Sequence, residues 1–330
     1  MTLLVSTCAV VGVNSHAMVK KSESQPVKFV VMGDMPYSDY EREQLQGDIK
    51  AAITSENLPF LIHYGDFKAG NVSCTDEVFQ QIKADLNALH PTVIYTPGDN
   101  DWTDCDRRNL KKPISELERL DFLRALFFAD DNNQDIFRQD QYPENSRWWQ
   151  DGILFSTLHI VGTDNGRKQI FLDDPQEAIA LVNQRDQANQ QWLKEAFAEA
   201  NEKQAEAMVL VMQADVSEIS GKPACTEILE TDCDPYETFR AQLRQASSKF
   251  RDPASELKPI LVVHGDTFPF CLDSGFGGEQ APNLYRLNAW GDFQQPADVT
   301  AITFMPDQAQ TPFQVQTLVN QVQPEACAPQ

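Results

Sequence analysis

Val27-Lys-Phe-Val-Val-Met32-Gly33-Asp34 is a short β-branched run cut off by a glycine and an aspartate. The pattern returns in Phe60-Leu-Ile-His-Tyr64-Gly65-Asp66 and in Thr92-Val-Ile-Tyr-Thr96-Pro97-Gly98-Asp99-Asn100. Short apolar runs of this kind mark strands buried on both faces. Between them, residues 39–54 look helical, and residues 76–89 place Val78, Phe79, Ile82, Leu86 and Leu89 at helical spacing. Strands that alternate with helices predict a parallel sheet.

The alternation continues along the chain. Residues 115–128 look helical, 153–161 form a longer strand ending at Gly162-Thr-Asp-Asn-Gly166, and 176–202 form a long helix with Trp192, Leu193 and Phe197 on one face. Met208-Val-Leu-Val-Met212 is a strand that stops at Gln213-Ala-Asp215. Residues 236–250 are helical, and Pro259-Ile-Leu-Val-Val263 is a strand that stops at His264-Gly-Asp-Thr267. From Asn283 to Val322 the pattern is strand-like. The polar segments 129–150 and 214–235 read as loops placed to cover a site. No internal repeat or long linker interrupts the chain, so residues 18–330 are expected to form one α/β domain.

Five strands therefore end in polar clusters: Asp34, Asp66, Asp99 with Asn100 and Asp101, Gln213 with Asp215, and His264 with Asp266. In an open α/β sheet the C-terminal strand ends share one edge, where ligands bind. Carboxylates gathered there repel one another unless a cation or a proton offsets their charge. One Gly-Asp is a common turn; three after three successive strands point to metal or phosphate binding.

With these residues in place, the chain resembles the calcineurin-like metallophosphoesterases, which include the purple acid phosphatases. Their pattern runs Asp-x-His or Asp-x-Gly, Gly-Asp, Gly-Asn-His-Asp/Glu, a lone His, then Gly-His-x-His, and the order matches from about residue 28 to 268. The resemblance implies an α/β fold of two sheets flanked by helices (αββα), with a dinuclear metal site at the sheet edge. It makes Asp34 the first metal ligand and Asp66 the bridging one. Asp99 stands where the family has asparagine, Asn100 where it has the histidine that protonates the leaving group, and Asp101 at the closing acid. Gln213 replaces the lone histidine, and Asp266 and Phe268 replace the last two. Pro36 occupies the first motif's histidine position, and His264 is the one histidine beside the site motifs. The implied ligand set is Asp34, Asp66, Asp99, Gln213 and Asp266, with Asn100 and His264 orienting phosphate or water. Such an oxygen-only set suits one or two divalent ions, Mn2+, Mg2+ or Ca2+ rather than zinc.

Two functions follow. One is a divergent metallophosphoesterase hydrolysing a small phosphomonoester or phosphodiester. The other is a non-catalytic binding protein on the same fold, which the substitutions at Pro36, Asn100 and Phe268 favour. A serine hydrolase is disfavoured because no Gly-x-Ser-x-Gly elbow occurs.

Composition limits the partners. The 27 basic and 49 acidic residues give a formal net charge of -22, which repels nucleic acid and anionic membrane surfaces. The expected partner is a small phosphoester, with no nucleic acid and no stable membrane association; oligomeric state stays open. Leu3–Val13 and Ser15-His16-Ala17 read as an export leader over residues 1–17, without a basic start. Six cysteines remain beyond it, Cys74, Cys105, Cys225, Cys233, Cys271 and Cys327. An even set in an exported protein suggests disulfides, with 15 pairings open and Cys225–Cys233 the easiest to close. His63 and His159, inside apolar strands, read as structural, and Trp102, Trp148 and Trp149 as packing residues. Asp164-Asn165 forms a turn or faces the site, and Lys68, Arg107 and Arg108 pair with acids or meet phosphate.

Overall fold

The computed structural model describes residues 25–129, 134–217, 221–225 and 232–328. The expected leader lies outside the described residues, as does part of the 214–235 loop.

Alternation along the strands decides the layers. In β1 (Val27–Met32), Val27, Phe29 and Val31 face one core and Val30 and Met32 another. β2 (Leu61–His63) and β3 (Val93–Tyr95) lie parallel beside it, with Val30 opposite Leu61 and Ile62 opposite Ile94. Two antiparallel strands, β11 (Thr300–Phe304) and β12 (Phe313–Thr317), complete a sheet of order β12-β11-β1-β2-β3.

The second sheet is built around four parallel strands: β6 (Ile153–Thr157), β7 (Ala207–Val211), β8 (Ile260–His264) and β10 (Leu284–Asn288). β4 (Phe137–Gln139) and β5 (Tyr142–Gln150) extend one side, and β9 (Cys271–Asp273) and β13 (Glu325–Ala326) the other, in the order β13-β9-β10-β8-β7-β6-β5-β4.

The sheets share a core in which Phe29, Ile62 and Ile94 meet Phe155, Val209 and Val263. On the far side of the first sheet lie α1 (Asp39–Gln44), α2 (Lys50–Glu56), α3 (Asp76–Leu89) and α4 (Glu116–Phe127), with Leu45, Ile53, Phe79 and Leu123 in its core. α5 (Pro175–Glu202) and α6 (Glu237–Ser247) cover the second sheet through Trp192, Phe197 and Leu243. The fold is the expected two-sheet α/β sandwich flanked by helices. The helix starts are locally encoded: Thr75, Ser115 and Asp174 each accept a hydrogen bond from a first-turn N–H, and Pro175 opens α5.

Three segments depart from expectation. The helix over 39–54 is two helices separated by a wide turn at Leu45–Ile49, where Gly47 leaves helical geometry. The strand at 153–161 ends at Thr157. The segment 129–150 contains the β4–β5 hairpin instead of a loop. Its polar residues hid it, since Glu144, Asn145 and Arg147 are buried but partnered, by Arg124, Asn189 and Glu199 respectively.

Three disulfides close the fold: Cys74–Cys105, Cys225–Cys233 and Cys271–Cys327. The first joins the loop after β2 to the loop after β3.

α4 begins with a buried carboxyl. Glu116 is 1% exposed, and burial followed by the neighbouring Asp106 and Asp173 pushes it up to about 10. The native state thus keeps a proton that the unfolded chain releases above about 4.5. Stability falls as pH rises through that window, at up to about 1.4 kcal/mol per unit. Glu116→Gln removes the titration while keeping the size of the side chain. Thermal melts are expected to show equal stability near pH 4.5 and a variant advantage of a few kcal/mol, on the order of 3, by pH 7. A constant difference across pH would contradict this.

Candidate metal centre

The C-terminal ends of β1, β2, β3 and β8 bring Asp34, Asp66, Asp99 and Asp266 to one edge of the sandwich. One carboxylate oxygen from each of Asp66, Asp99 and Asp266 lies within 4.8 Å of the others. Asp34 completes the group: its Oδ2 accepts from the Asp266 N–H at 3.0 Å. The Tyr37 hydroxyl lies 3.4 Å from Asp34 Oδ1 and 3.2 Å from Asp66 Oδ2. Asp34 and Asp66 are each 2% exposed, and Asp99 7%. The carboxylates of Asp66, Asp99 and Asp266 line a cavity of about 460 Å3, together with Asn100, Arg107 and Asp292.

The backbone explains the glycines. Asp34, Asp66, Asp266 and Asp292 sit at φ 50, 55, 67 and 42°, each directly after a glycine. Left-handed backbone is uncommon for a residue with a side chain, least so for Asp and Asn. Four instances at one edge are stored strain of the kind found at functional sites. The glycines supply room. A Cβ on Gly98 would lie 2.0 Å from Asp66 Oδ1, and one on Gly265 1.8 Å from Asp34 Oδ2. Gly98 and Gly265 thus make space for the carboxylates of Asp66 and Asp34, while a Cβ on Gly33 or Gly65 would meet the Tyr64 ring or the Gly98 backbone.

Thr163, Asp164 and Asn165 form one turn of left-handed helix. It sets Thr163 Oγ1 2.7 Å from Asp99 Oδ2 and 3.2 Å from Asp104 Oδ1. Of the expected Asp164-Asn165 pair, Asn165 is buried and turned towards Arg185 and Asp186, while Thr163 reaches the cluster.

Electrostatics make a bare cluster costly. Burial pushes the Asp34, Asp66 and Asp266 carboxyls well above the usual range. Asp99 and Asp34 push Asp66 and Asp266 further, while the Asp266 N–H partly offsets the rise at Asp34. Asn100 donates its N–H to Asp66 Oδ1 at 3.0 Å and its side-chain NH2 to Asp66 Oδ2 at 2.9 Å. Lys68 is buried alongside; burial lowers its pKa, against the opposing pull of the Asp101 and Asp66 charges. These donors do not balance three buried carboxylates and a fourth, Asp266, that is half-buried. The donor set is oxygen-only, converging and charged, which fits a hard divalent cation.

Gln213 reaches the cluster through its amide. The Gly162 N–H can only donate, and it points at Gln213 Oε1 at 2.7 Å. The NH2 end therefore faces the cluster, 3.2 Å from Asp66 Oδ2 and 3.0 Å from Asp99 Oδ1. Gln213 thus bridges the Asp66 and Asp99 carboxylates through its NH2, while its oxygen accepts from the Gly162 N–H. His264 lies at the end of β8, two residues before Asp266. Its ring is fully buried, with Nδ1 2.8 Å from the Gly265 carbonyl and Nε2 3.7 Å from Asp215. It faces a network of Asp215, Ser217 and Arg286 instead of the cluster.

Asp101 holds the loops: its carboxylate accepts from the N–H groups of Asp66, Phe67 and Gly98 and from the Tyr95 hydroxyl. Phe268 is 74% exposed. His63 and His159 are buried with lowered pKa values, His159 accepting from the Trp102 indole. Trp102 and Trp148 are core residues. Arg107 lines the cavity and pairs with Asp104 at 2.7 Å, whereas Arg108 lies over Phe171.

Sequence reasoning missed Tyr37, Asp104, Thr163 and Asp292. Asp292 carried the usable signal, as Gly291-Asp292 follows β10 just as the other pairs follow their strands. Tyr37 and Thr163 had none, since neither residue type announces a contact with a carboxylate.

No protein-family model matches the chain, and no curated protein matches it. Solved structures do. The structure of PhoD superposes with a TM-score of 0.55 at 13% identity, over 88% of this chain and 65% of that one. The chain thus spans just under two thirds of the PhoD chain's length. GAP50, described as the anchor in the inner membrane complex of Plasmodium, gives 0.47 at 9% identity over 92% and 90% of the two chains. Purple acid phosphatase PPD1 from yellow lupin (Lupinus luteus) seeds gives 0.49 at 8% identity, over 93% of this chain and 57% of that one. The likeness to PhoD shows a shared, phosphoesterase-like fold.

Proposed function

We propose that this chain is a divalent-metal-dependent phosphoesterase acting on a small phosphomonoester or phosphodiester. The observation that carries the reading is the meeting of Asp66, Asp99 and Asp266 oxygens within 4.8 Å at the base of an open polar cavity. These three would hold the principal ion, and Asp34 would serve a second. A bound ion supplies a Lewis acid and a water of lowered pKa. Asn100 Nδ2, already 2.9 Å from Asp66, and the Arg107 guanidinium at the cavity wall are the groups placed to take phosphoryl oxygens.

A second reading, a binding protein without catalysis, is favoured by the histidines. His63, His90, His159 and His264, the described ones, all make bonds away from the cluster. No imidazole stands ready as a general acid among the described residues.

Three disulfides and the lack of a described helix able to cross a membrane support export to an oxidising compartment. The leader at 1–17 and the single domain at 18–330 belong to that proposal.

Reconstitution with Mn2+, elemental analysis and hydrolysis of p-nitrophenyl phosphate and bis(p-nitrophenyl) phosphate test it together. Bound metal with turnover abolished by EDTA is the expected result. Stoichiometric metal without turnover of either ester selects the binding protein, and absence of metal removes both the site and its chemistry.

A further inference from the structure

One aromatic side chain at the cavity mouth is explained neither by packing nor by its backbone. Phe293 is 70% exposed. It also sits at φ 63°, a region in which bulky side chains are outliers. The loop that carries it is firmly anchored. Asp292 donates its N–H to the Asp34 carbonyl at 3.3 Å, and Gln294 donates to the Gly291 carbonyl at 3.0 Å. Phe293 lines the cavity that holds Asp66, Asp99 and Asp266. Its ring lies 5.0 Å from that of Tyr37, tilted by 56°, and the Tyr37 hydroxyl contacts Asp34 and Asp66. Two aromatic rings thus run from the exposed Phe293 to the carboxylates that Tyr37 contacts. The cavity volume, about 460 Å3, falls within the roughly 300–1,000 Å3 of small-molecule sites.

We propose that Phe293 is a specificity residue that stacks on a planar aromatic ring in the substrate, making the preferred phosphoester one with a nucleobase or aryl group. The inference rests on the phosphoesterase reading of the same cavity. Strain at Phe293 is retained because an exposed ring at this place adds contact only once a second ring covers it. An aliphatic group offers no π face, so ringless esters gain nothing from Phe293.

The test compares the Mn2+-loaded full chain with Phe293→Ala and Phe293→Tyr, using 5′-AMP, phenyl phosphate and glycerol 3-phosphate. Calorimetry gives affinities, and phosphate release gives kcat/KM. The wild type is expected to bind both ring-bearing ligands about tenfold more tightly than glycerol 3-phosphate, the order of one base–aromatic stack. Phe293→Ala should erase that preference by weakening ring-bearing ligands alone, and Phe293→Tyr should restore it. Equal affinities for all three ligands, or equal losses in Phe293→Ala, overturn the proposal. Ring-selective binding without phosphate release leaves it standing and contradicts the phosphoesterase reading. Turnover of glycerol 3-phosphate at the same kcat/KM as the ring-bearing esters does the reverse.

Discussion

Asp66→Asn is expected to lower Mn2+ affinity by about 100-fold or more, and to leave the metal-free protein at least as stable as the wild type. Asp66 is the hub of the cluster. It accepts from Asn100, Gln213 and Tyr37, and it shares the 4.8 Å convergence with Asp99 and Asp266. Asparagine keeps the shape and removes the charge. Without an ion, that charge is a liability: burial first, then Asp99, Asp34 and Asp101, push the Asp66 carboxyl well up. A carboxyl whose native value lies above its unfolded one costs stability as pH rises past the unfolded value. The neutral variant therefore gains in EDTA at pH 7.5, and the wild type gains more from added Mn2+. Calorimetric titration gives the affinity and melts with and without metal give the signs. A variant destabilised in EDTA yet stabilised normally by Mn2+ would mean that Asp66 is structural.

The second large effect concerns a disulfide. Cys74–Cys105 spans 31 residues and ties the loop carrying Asp66 to the loop carrying Asp99. Chain-entropy arguments put its contribution at about 3–4 kcal/mol. Cys74→Ser with Cys105→Ser is expected to lose that stability and also about tenfold in Mn2+ affinity, because the two carboxylates proposed to hold the ion are no longer held in register. Cys271–Cys327 is the control. It closes a longer stretch, 56 residues, but joins β9 to the residue just after β13, and neither strand carries a residue of the cluster. Removing it should cost similar stability and leave Mn2+ affinity unchanged. Equal affinity losses in both double variants would place the effect in general loosening of the fold.

The sequence made the layers legible because the strands obey a period of two. Val27, Phe29 and Val31 enter the inter-sheet core while Val30 and Met32 turn to the helices. Gly-Asp after successive strands announced the site, since only glycine admits the neighbouring carboxylate that the structure finds at Gly98 and Gly265. What escaped detection was set by partners distant in the chain. The β4–β5 hairpin looks like a polar loop until Arg124, Asn189 and Glu199 are seen to satisfy it. The orientation of Gln213 depends on one N–H at Gly162, 51 residues away. His264 sits in a site motif, yet its ring is drawn to Asp215 on another strand end. Cysteine pairing was open among the alternatives because spacing alone does not report which loops share an edge.

Anomalous diffraction at the manganese edge from crystals of the Mn2+-loaded protein addresses the central claim most directly. The account predicts a strong peak bonded to carboxylate oxygens of Asp66, Asp99 and Asp266. A peak elsewhere, or an empty cluster at saturating Mn2+, would contradict it.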